Sequence, residues 1–243
     1  MKYYNLHSFQ VSPEEAISIQ KELEKKICLF KSFPKIELIA GADVGYGQNK
    51  MIGGIVVAKF SSGEIIERQY SIQTVDFPYI PGLLTFREGP VLLSAWEKIE
   101  NEPDVILFDG QGIAHPRRMG IATHLGLFMD KPTIGCAKNK LWGDYFWVGK
   151  REGDYSFLKK DNEILGVVLR TRNGIKPIFI SPGNKIDIFT SLEVVIKCRS
   201  KYRLPFPIRE AHHWVNILKN QLIKMEKEIR KENNEGRNYL YRK

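Results

Sequence analysis

A chain of 243 residues with 43% hydrophobic and 27% charged residues has the length and composition of a folded globular protein, which excludes a wholly disordered chain. The chain has no run of about 18 apolar residues and no apolar signal core at its N-terminus, so we expect a cytoplasmic protein without a membrane partner. Its three cysteines fit no CxxC pattern, which argues against a disulfide scaffold and a thiolate zinc site.

The formal net charge of +9 favours an anionic partner such as nucleic acid. Residues 219–243 contain eight Lys/Arg and four Glu, so nearly half of the excess lies in the tail. An ordinary protein with a basic tail is therefore the alternative. Because no Ser/Gly-rich or Pro-rich linker interrupts the chain, we predict one domain over residues 1–243, with a basic helical extension from about residue 220. We expect a monomer.

The first half of the chain mixes helical and strand patterns. A helix is predicted from Ser12 to about Cys28, because Ser12 is a cap residue followed by Pro13 and two first-turn acids. Strands are then predicted over residues 36–40, 51–60 and 64–72. The first of them ends at Gly41-Ala42-Asp43, and the other two form a hairpin. A helix from Leu83 to about Glu100 follows.

The second half alternates strands and helices. Strands are predicted over residues 105–108, 133–137, 165–170 and 177–180, and helices over residues 119–129, from Asp187 to about Cys198, and after Pro207. Ser181-Pro182-Gly183 is expected to close the last hairpin. This order predicts an α/β fold in which helices flank a mixed sheet.

Three acidic residues stand out. Asp43 and Asp109 follow predicted strands, and Glu88 lies early in a predicted helix. Carboxylates that converge repel one another unless a cation compensates them, and Mg²⁺ takes oxygen ligands and accepts phosphate oxygens. Such a site supports metal-assisted phosphodiester hydrolysis. The alternatives at this point are an acidic cap in a Gly-rich turn for Asp109 and compensation of the helix dipole for Glu88.

Other candidate residues also have two interpretations. The segment Pro78-Tyr79-Ile80-Pro81-Gly82 is stiffened by its prolines, so Tyr79 is either held outward or packed down as in an ordinary turn. Lys138 follows a predicted strand and either meets a phosphate or reaches solvent. His212 lies beside the apolar stripe of the final helix and either points into a site or is a boundary residue. His213 lies nearly opposite the stripe and should face water.

These stretches resemble the endonuclease V family, in the same order and over roughly residues 10–220. The most specific matches are the Pro78–Gly82 loop and the block from Asp109 to Gly126. The other matching stretches are Gly41-Ala42-Asp43-Val44, Phe86-Arg87-Glu88, Gly135-Cys136-Ala137-Lys138, Ser181-Pro182-Gly183, Arg203-Leu204-Pro205 and Arg209-Glu210-Ala211-His212. The resemblance implies a ribonuclease H-like α/β fold.

The resemblance also implies residue roles. Asp43, Glu88 and Asp109 are expected to bind Mg²⁺, with Mn²⁺ as a substitute, and Lys138 and His212 to assist at the scissile phosphate. The implied partner is DNA that contains deoxyinosine, cut at the second phosphodiester bond 3′ to the lesion with the lesion left in place. The residues expected to contact DNA are Tyr79, Pro81, Gly82, Leu84, Gly110, His115, Arg117 and Ile121.

Two further interpretations remain open. The same active site could act mainly on RNA that contains inosine, or the chain could be a non-catalytic nucleic-acid-binding module. The chain also departs from the family pattern, with Asn184 where histidine is frequent, Phe206 where glutamate is frequent and Glu210 in place of an apolar residue. These departures leave the three acids intact.

Overall fold

A mixed sheet of eight strands forms the centre of the computed structural model, which describes residues 1–30, 33, 35–47 and 49–240, with side chains up to residue 227. The strands are β1 Leu38–Gly47, β2 Lys50–Lys59, β3 Ile65–Thr74, β4 Val105–Phe108, β5 Thr133–Ala137, β6 Tyr155–Lys160, β7 Glu163–Leu169 and β8 Ile178–Asn184. Their order across the sheet is β3-β2-β1-β4-β5-β8-β7-β6. β4 pairs in parallel with β1 and β5, and the other neighbours are antiparallel. The predicted ribonuclease H-like mixed sheet with flanking helices is confirmed.

Five helices accompany this sheet in the described part of the chain. They are α1 Pro13–Glu24, α2 Leu84–Trp96, α3 Ile121–Met129, α4 Ile188–Lys197 and α5 Phe206–Leu240. Ser12 caps α1 through a capping box, and Asp187 caps α4 by accepting from the Thr190 N–H, as their residue types predict. α5 continues through the predicted basic extension, whose last residues, 241–243, lie outside the described part. None of the described helices is long and apolar enough to cross a bilayer.

The helices cover both faces of the sheet. α2 and α3 pack in one hydrophobic cluster with Ala40 and Ala42 of β1. α4 and the first turn of α5 pack in another cluster, which includes Ile39 and Leu107. Because side chains alternate between the two faces of a strand, odd-numbered residues of β1 and β4 face α5 and even-numbered residues face α2.

Asp43 and Asp109 become neighbours through the register of two parallel strands. Ala42 of β1 pairs with Phe108 of β4, so the next residues along these strands are Asp43 and Asp109. The sequence suggested that this strand ends at Asp43. In the structure β1 continues to Gly47, because its antiparallel partner β2 pairs with it that far. Asp43 therefore lies within β1, level with the end of β4.

The start of α5 rests directly on β1 at Gly41. A Cβ atom at this position would lie 2.0 Å from the Pro207 carbonyl oxygen and 2.7 Å from the Ile208 nitrogen. Only a residue without a side chain permits this approach, because the obstructing atoms are backbone. The contact fixes α5 beside the strand that carries Asp43, and His212 follows in the second turn of the same helix.

Two other sequence expectations are corrected. Ser181-Pro182-Gly183 does not close a hairpin but continues β8 to Asn184, where it pairs with β5. β6 was not predicted, because it is an edge strand in which only Leu158 is buried, so it lacks an apolar alternation. The bounds of α1 and α2 are each about four residues shorter at the C-terminus than predicted.

Candidate active site

Four of the five predicted catalytic residues meet on the α5 face of the sheet. The side chains of Asp43 and Asp109 are largely buried, with exposed fractions of 10% and 14%. His212 Nδ1 lies 2.8 Å from Asp43 Oδ2, and Lys138 Nζ forms an ion pair with Asp109 Oδ2. His212 thus points into the site, and Lys138 does not simply extend into solvent. His213 is exposed, as predicted.

Glu88 reaches the same region from α2, on the other face of the sheet. Tyr46 Oη donates a hydrogen bond of 2.6 Å to Glu88 Oε1. Burial raises the pKa of Glu88 to about 7; the Tyr46 hydrogen bond opposes this rise, and the charges of Asp43 and Asp109 add to it. Burial and the charge of Asp109 also raise the pKa of Asp43, although His212 opposes the change. The three carboxyl groups therefore interact electrostatically, as a shared site requires.

This acid set fits a hard cation by its chemistry. Carboxylate oxygens are the ligands that Mg²⁺ prefers, and a divalent cation would relieve the repulsion that helps to raise the pKa values of Asp43 and Glu88. Among the described residues, however, no three His, Cys, Asp or Glu side chains already form a metal-binding cluster. Each acid instead has a protein partner. Cation binding therefore requires these partners to move or to share the carboxylates.

Three residues predicted to contact DNA meet around one carbonyl oxygen. The Gly82 oxygen accepts hydrogen bonds from His115 Nε2 at 2.9 Å, Arg117 Nη2 at 3.0 Å and Gln20 Nε2 at 3.0 Å. Burial, together with the charge of Arg117, lowers the pKa of His115 to about 4, so its ring is neutral at pH 7. Because His115 is only 2% exposed, its observed contact fixes the Pro78–Gly82 loop; contact with DNA remains a prediction.

The starts of α2 and α3 form a wall of backbone next to this loop. Both helices begin without a side-chain cap, at Leu83 and Gly120. No capping side chain therefore satisfies the first-turn N–H groups, which include those of Leu84 and Ile121. Gly110 completes the wall, since a Cβ atom there would lie 2.5 Å from Ile121 Cγ2. The wall lies on the α2–α3 face of the sheet, opposite α5.

The Pro78–Gly82 loop holds Tyr79 outward. Tyr79 is 69% exposed, whereas Ile80 beside it packs on a small cluster that includes Phe77 and Phe86. Pro81 is also exposed. Of the two interpretations of Tyr79, the structure supports the exposed one, and the Gly82 carbonyl anchors the loop behind it.

Sequence reasoning missed three residues that hold the predicted ones in place. Gln20 is fully buried on α1 and bridges the Gly82 oxygen and Arg117 Nε. Tyr46 binds Glu88, and an Arg203 guanidinium nitrogen donates to the Lys138 carbonyl. A polar residue on the buried face of a helix is a signal that could have indicated Gln20. The other two contacts join distant parts of the chain and leave no local signal.

A family model described as endonuclease V matches residues 21–213. The chain belongs to the endonuclease V family. Endonuclease V of Petrotoga mobilis is 44% identical over 221 residues, which cover 91% of this chain and 100% of that protein. The crystal structure of endonuclease V from Bacillus subtilis matches with a TM-score of 0.88 and 35% identity, over 92% of this chain and 99% of that chain.

A third relative was solved with a nucleic acid. It is endonuclease V of Ciona intestinalis in complex with a 24mer DNA containing an inosine followed by a ribo-adenosine, with a TM-score of 0.75 and 26% identity over 86% of this chain and 98% of that chain. Membership of the endonuclease V family makes this chain a nuclease of the hydrolase class and argues against a non-catalytic binding module. The roles of its individual site residues stay predictions.

Proposed function

We propose that this nuclease is a Mg²⁺-dependent deoxyinosine endonuclease of DNA repair. It would cut the lesion strand at the second phosphodiester bond 3′ to the deoxyinosine and leave the lesion in place. The observation that carries the proposal is the placement of Asp43 and Asp109 side by side on the neighbouring strands β1 and β4, level with the end of β4, with Glu88 close enough to interact with both. The inosine-containing DNA in the Ciona complex supports the substrate class.

The acids and their basic partners would have different roles in the reaction. Asp43, Glu88 and Asp109 would hold Mg²⁺, with Mn²⁺ as a replacement. When bound, this ion polarises a phosphoryl oxygen and lowers the pKa of a water ligand. Lys138 places a positive charge beside Asp109, where it can stabilise charge on the scissile phosphate. His212 is half exposed, and its Nδ1 lies at Asp43. Its other ring nitrogen, Nε2, is left to exchange a proton with the DNA strand that is cut.

The backbone wall suits the recognition of hypoxanthine. This base differs from adenine by a carbonyl group in place of an amino group, so reading the difference requires access to the base edge and the base must leave the stack. N–H groups at Leu84 and Ile121 can donate to a carbonyl oxygen but not to the amino group of adenine. Exposed Tyr79 is suited to fill the gap that the base leaves.

The position of the cut tests the proposal. A duplex with one deoxyinosine, labelled at the 5′ end of the lesion strand, is incubated with the protein and Mg²⁺, Mn²⁺ or a chelator, and the product is sized on a sequencing gel. We expect one nick, at the second bond 3′ to the lesion, with either metal and none with the chelator. The absence of a nick with both metals, or equal cutting of a duplex without the lesion, would contradict the proposal.

A second candidate substrate is RNA that contains inosine. The ribo-adenosine in the Ciona complex is the observation that favours it, because a ribonucleotide follows the inosine in that substrate. DNA and RNA duplexes of the same sequence and with different labels, mixed in one reaction, separate the two candidates. The ratio of their kcat/KM values then shows which backbone this chain prefers.

Tyr79→Ala is expected to weaken binding of the inosine duplex about tenfold, because one base–aromatic stacking contact is lost. The Mg²⁺ concentration for half-maximal nicking should stay unchanged, since Tyr79 is exposed and takes no part in the hydrogen bonds of Glu88 and Asp43. Fluorescence anisotropy with lesion and lesion-free duplexes measures the effect. Tyr4→Ala removes a tyrosine of similar exposure, 62%, and serves as the control. Equal inosine affinity in Tyr79→Ala and the wild type would remove Tyr79 from recognition.

A further inference from the structure

A small basic groove lies beside the candidate active site on the α5 face of the sheet. It has a volume of about 310 Å³. Its lining residues are Lys138, Tyr202, Arg203, Leu204, Arg209 and His212. Three of the six side chains are Lys or Arg and a fourth is histidine, whereas none is acidic. We call this surface the basic groove; Lys138 and His212 join it to the carboxylates.

Arg209 is the residue of the groove that is best placed to bind a ligand. It lies in the first turn of α5, where the helix dipole disfavours a positive charge. Its guanidinium stacks at 3.2 Å from the centroid of the Tyr202 ring, which fixes the plane of the side chain. Within the described residues, this guanidinium has no carboxylate or hydrogen-bond partner. Its donors are therefore oriented and available to an anion.

The Arg203 guanidinium, unlike that of Arg209, is held by hydrogen bonds within the protein. Its guanidinium donates to the carbonyl oxygens of Lys138 and Pro177, the latter at 2.8 Å. These bonds tie the segment before α5 to the end of β5, where Lys138 lies. Arg203 therefore fixes the side of the basic groove, and Arg209 is the arginine whose donors are left for a ligand.

The backbone wall and the basic groove lie on opposite faces of the sheet. The backbone wall at Leu84 and Ile121 belongs to the α2–α3 face, whereas Arg209 and His212 belong to α5 on the other face. Asp43 and Asp109 project toward α5 level with the end of β4, and Glu88 approaches them from the α2 side. A strand that placed its base at the wall and ran across the carboxylates would next reach the basic groove.

We propose that the basic groove binds a phosphate of the cut DNA strand on the 3′ side of the scissile bond, with Arg209 as its principal ligand. This inference rests on the proposed function, because the lesion and the 3′ cut set the direction of the strand. A planar guanidinium can bind two phosphate oxygens at once, and stacking on Tyr202 limits the entropy lost on binding. The groove would hold the strand on both sides of the bond that breaks.

DNA duplexes in which one phosphate is replaced by an uncharged linkage test this proposal. Methylphosphonates replace, one at a time, the three phosphates that follow the cut, and binding is measured in Ca²⁺ without turnover for the wild type, Arg209→Gln and Arg209→Lys. On unmodified DNA, we expect Arg209→Gln to bind about tenfold more weakly, with a smaller effect for Arg209→Lys. The slope of log affinity against log salt should fall by about one for Arg209→Gln.

The coupling between protein and DNA changes identifies the contact. At one of the three positions, the methylphosphonate should weaken wild-type binding and leave Arg209→Gln unaffected. Lys219→Gln, on the same helix but outside the groove, removes the same charge and should show no such position. Thermal unfolding of each variant checks that the fold is intact.

Two results would overturn the proposal. One is a loss in Arg209→Gln that is the same on every modified duplex, and the other is an equal loss in Lys219→Gln. Failure of the proposed function would look different, since the wild type would then not nick the inosine duplex. A protein that nicks normally but shows no coupling at Arg209 refutes the groove alone.

Discussion

Asp109→Asn is expected to lower the rate of nicking of an inosine duplex by about 10³-fold or more, equivalent to about 4 kcal/mol of transition-state stabilisation. The change removes the charge of the acid that lies between Asp43 and Lys138 while keeping its size. Single-turnover kinetics with Mg²⁺ measure the effect. Affinity for the duplex should be equal or higher, because a negative charge near the DNA backbone is lost.

Asp104 provides a matched control at the other end of β4. It precedes the strand, and its Oδ2 accepts hydrogen bonds from the Glu37 and Leu38 N–H groups at 2.8 and 2.9 Å, so its role is to join β1 to β4. Asp104→Asn should reduce stability slightly and leave the rate within about threefold of the wild type. A rate for Asp109→Asn in the same range would remove this acid from catalysis. Rescue by Mn²⁺ alone would instead indicate weakened metal binding.

The neighbouring acids could be anticipated from the sequence because their positions have a local cause. Asp109 follows four apolar residues of a buried strand, and Asp43 follows a similar run. Side chains that follow parallel strands meet at one edge of a sheet. The sequence did not show that β1 continues beyond Asp43, since the Gly-rich segment Gly41–Gly47 has little intrinsic strand propensity. Pairing with β2 overrides this local preference.

Contacts between distant segments could not be predicted in the same way. Tyr46 meets Glu88 across 42 residues, and Gln20 meets Gly82 across 62. The Tyr46 contact leaves the periodicity of β1 and α2 unchanged, and the buried polar position on α1 could mark Gln20 but not its partner Gly82. The sequence singled out Glu88, His212 and Lys138 with two interpretations each, and the family resemblance implied their roles, but only the fold shows which residue binds each of them.

The contacts of the two arginines in the basic groove also could not be predicted from the sequence. Arg203 and Arg209 lie in stretches that match the family, yet nothing in the local sequence separates their roles. In the fold, one guanidinium binds two carbonyl oxygens and the other stacks on Tyr202 with its donors free. The difference depends on where β5 ends relative to α5, which is a property of the tertiary structure.

Gly41→Ala is expected to destabilise the protein by about 3 kcal/mol and lower Tm by roughly 8 °C, because the added methyl group meets immobile backbone atoms. The Cβ atom would lie 2.0 Å from the Pro207 oxygen, so the first turn of α5 must move away from β1. His212 moves with that turn. The 2.8 Å contact of His212 with Asp43 should lengthen, and nicking at a temperature well below Tm should fall by more than tenfold.

Gly47→Ala separates this effect from a general intolerance of side chains in β1. Gly47 lies on the same strand and faces the same helix, but its Cβ atom would lie 3.6 Å from Lys219 Cγ, an ordinary contact. Alanine there should be neutral or stabilising by about 0.5 kcal/mol, since glycine costs entropy in a strand. Calorimetry and nicking assays on both variants give the comparison. If Gly41→Ala keeps full activity while Tm falls, the position of α5 supports stability alone and His212 does not depend on it.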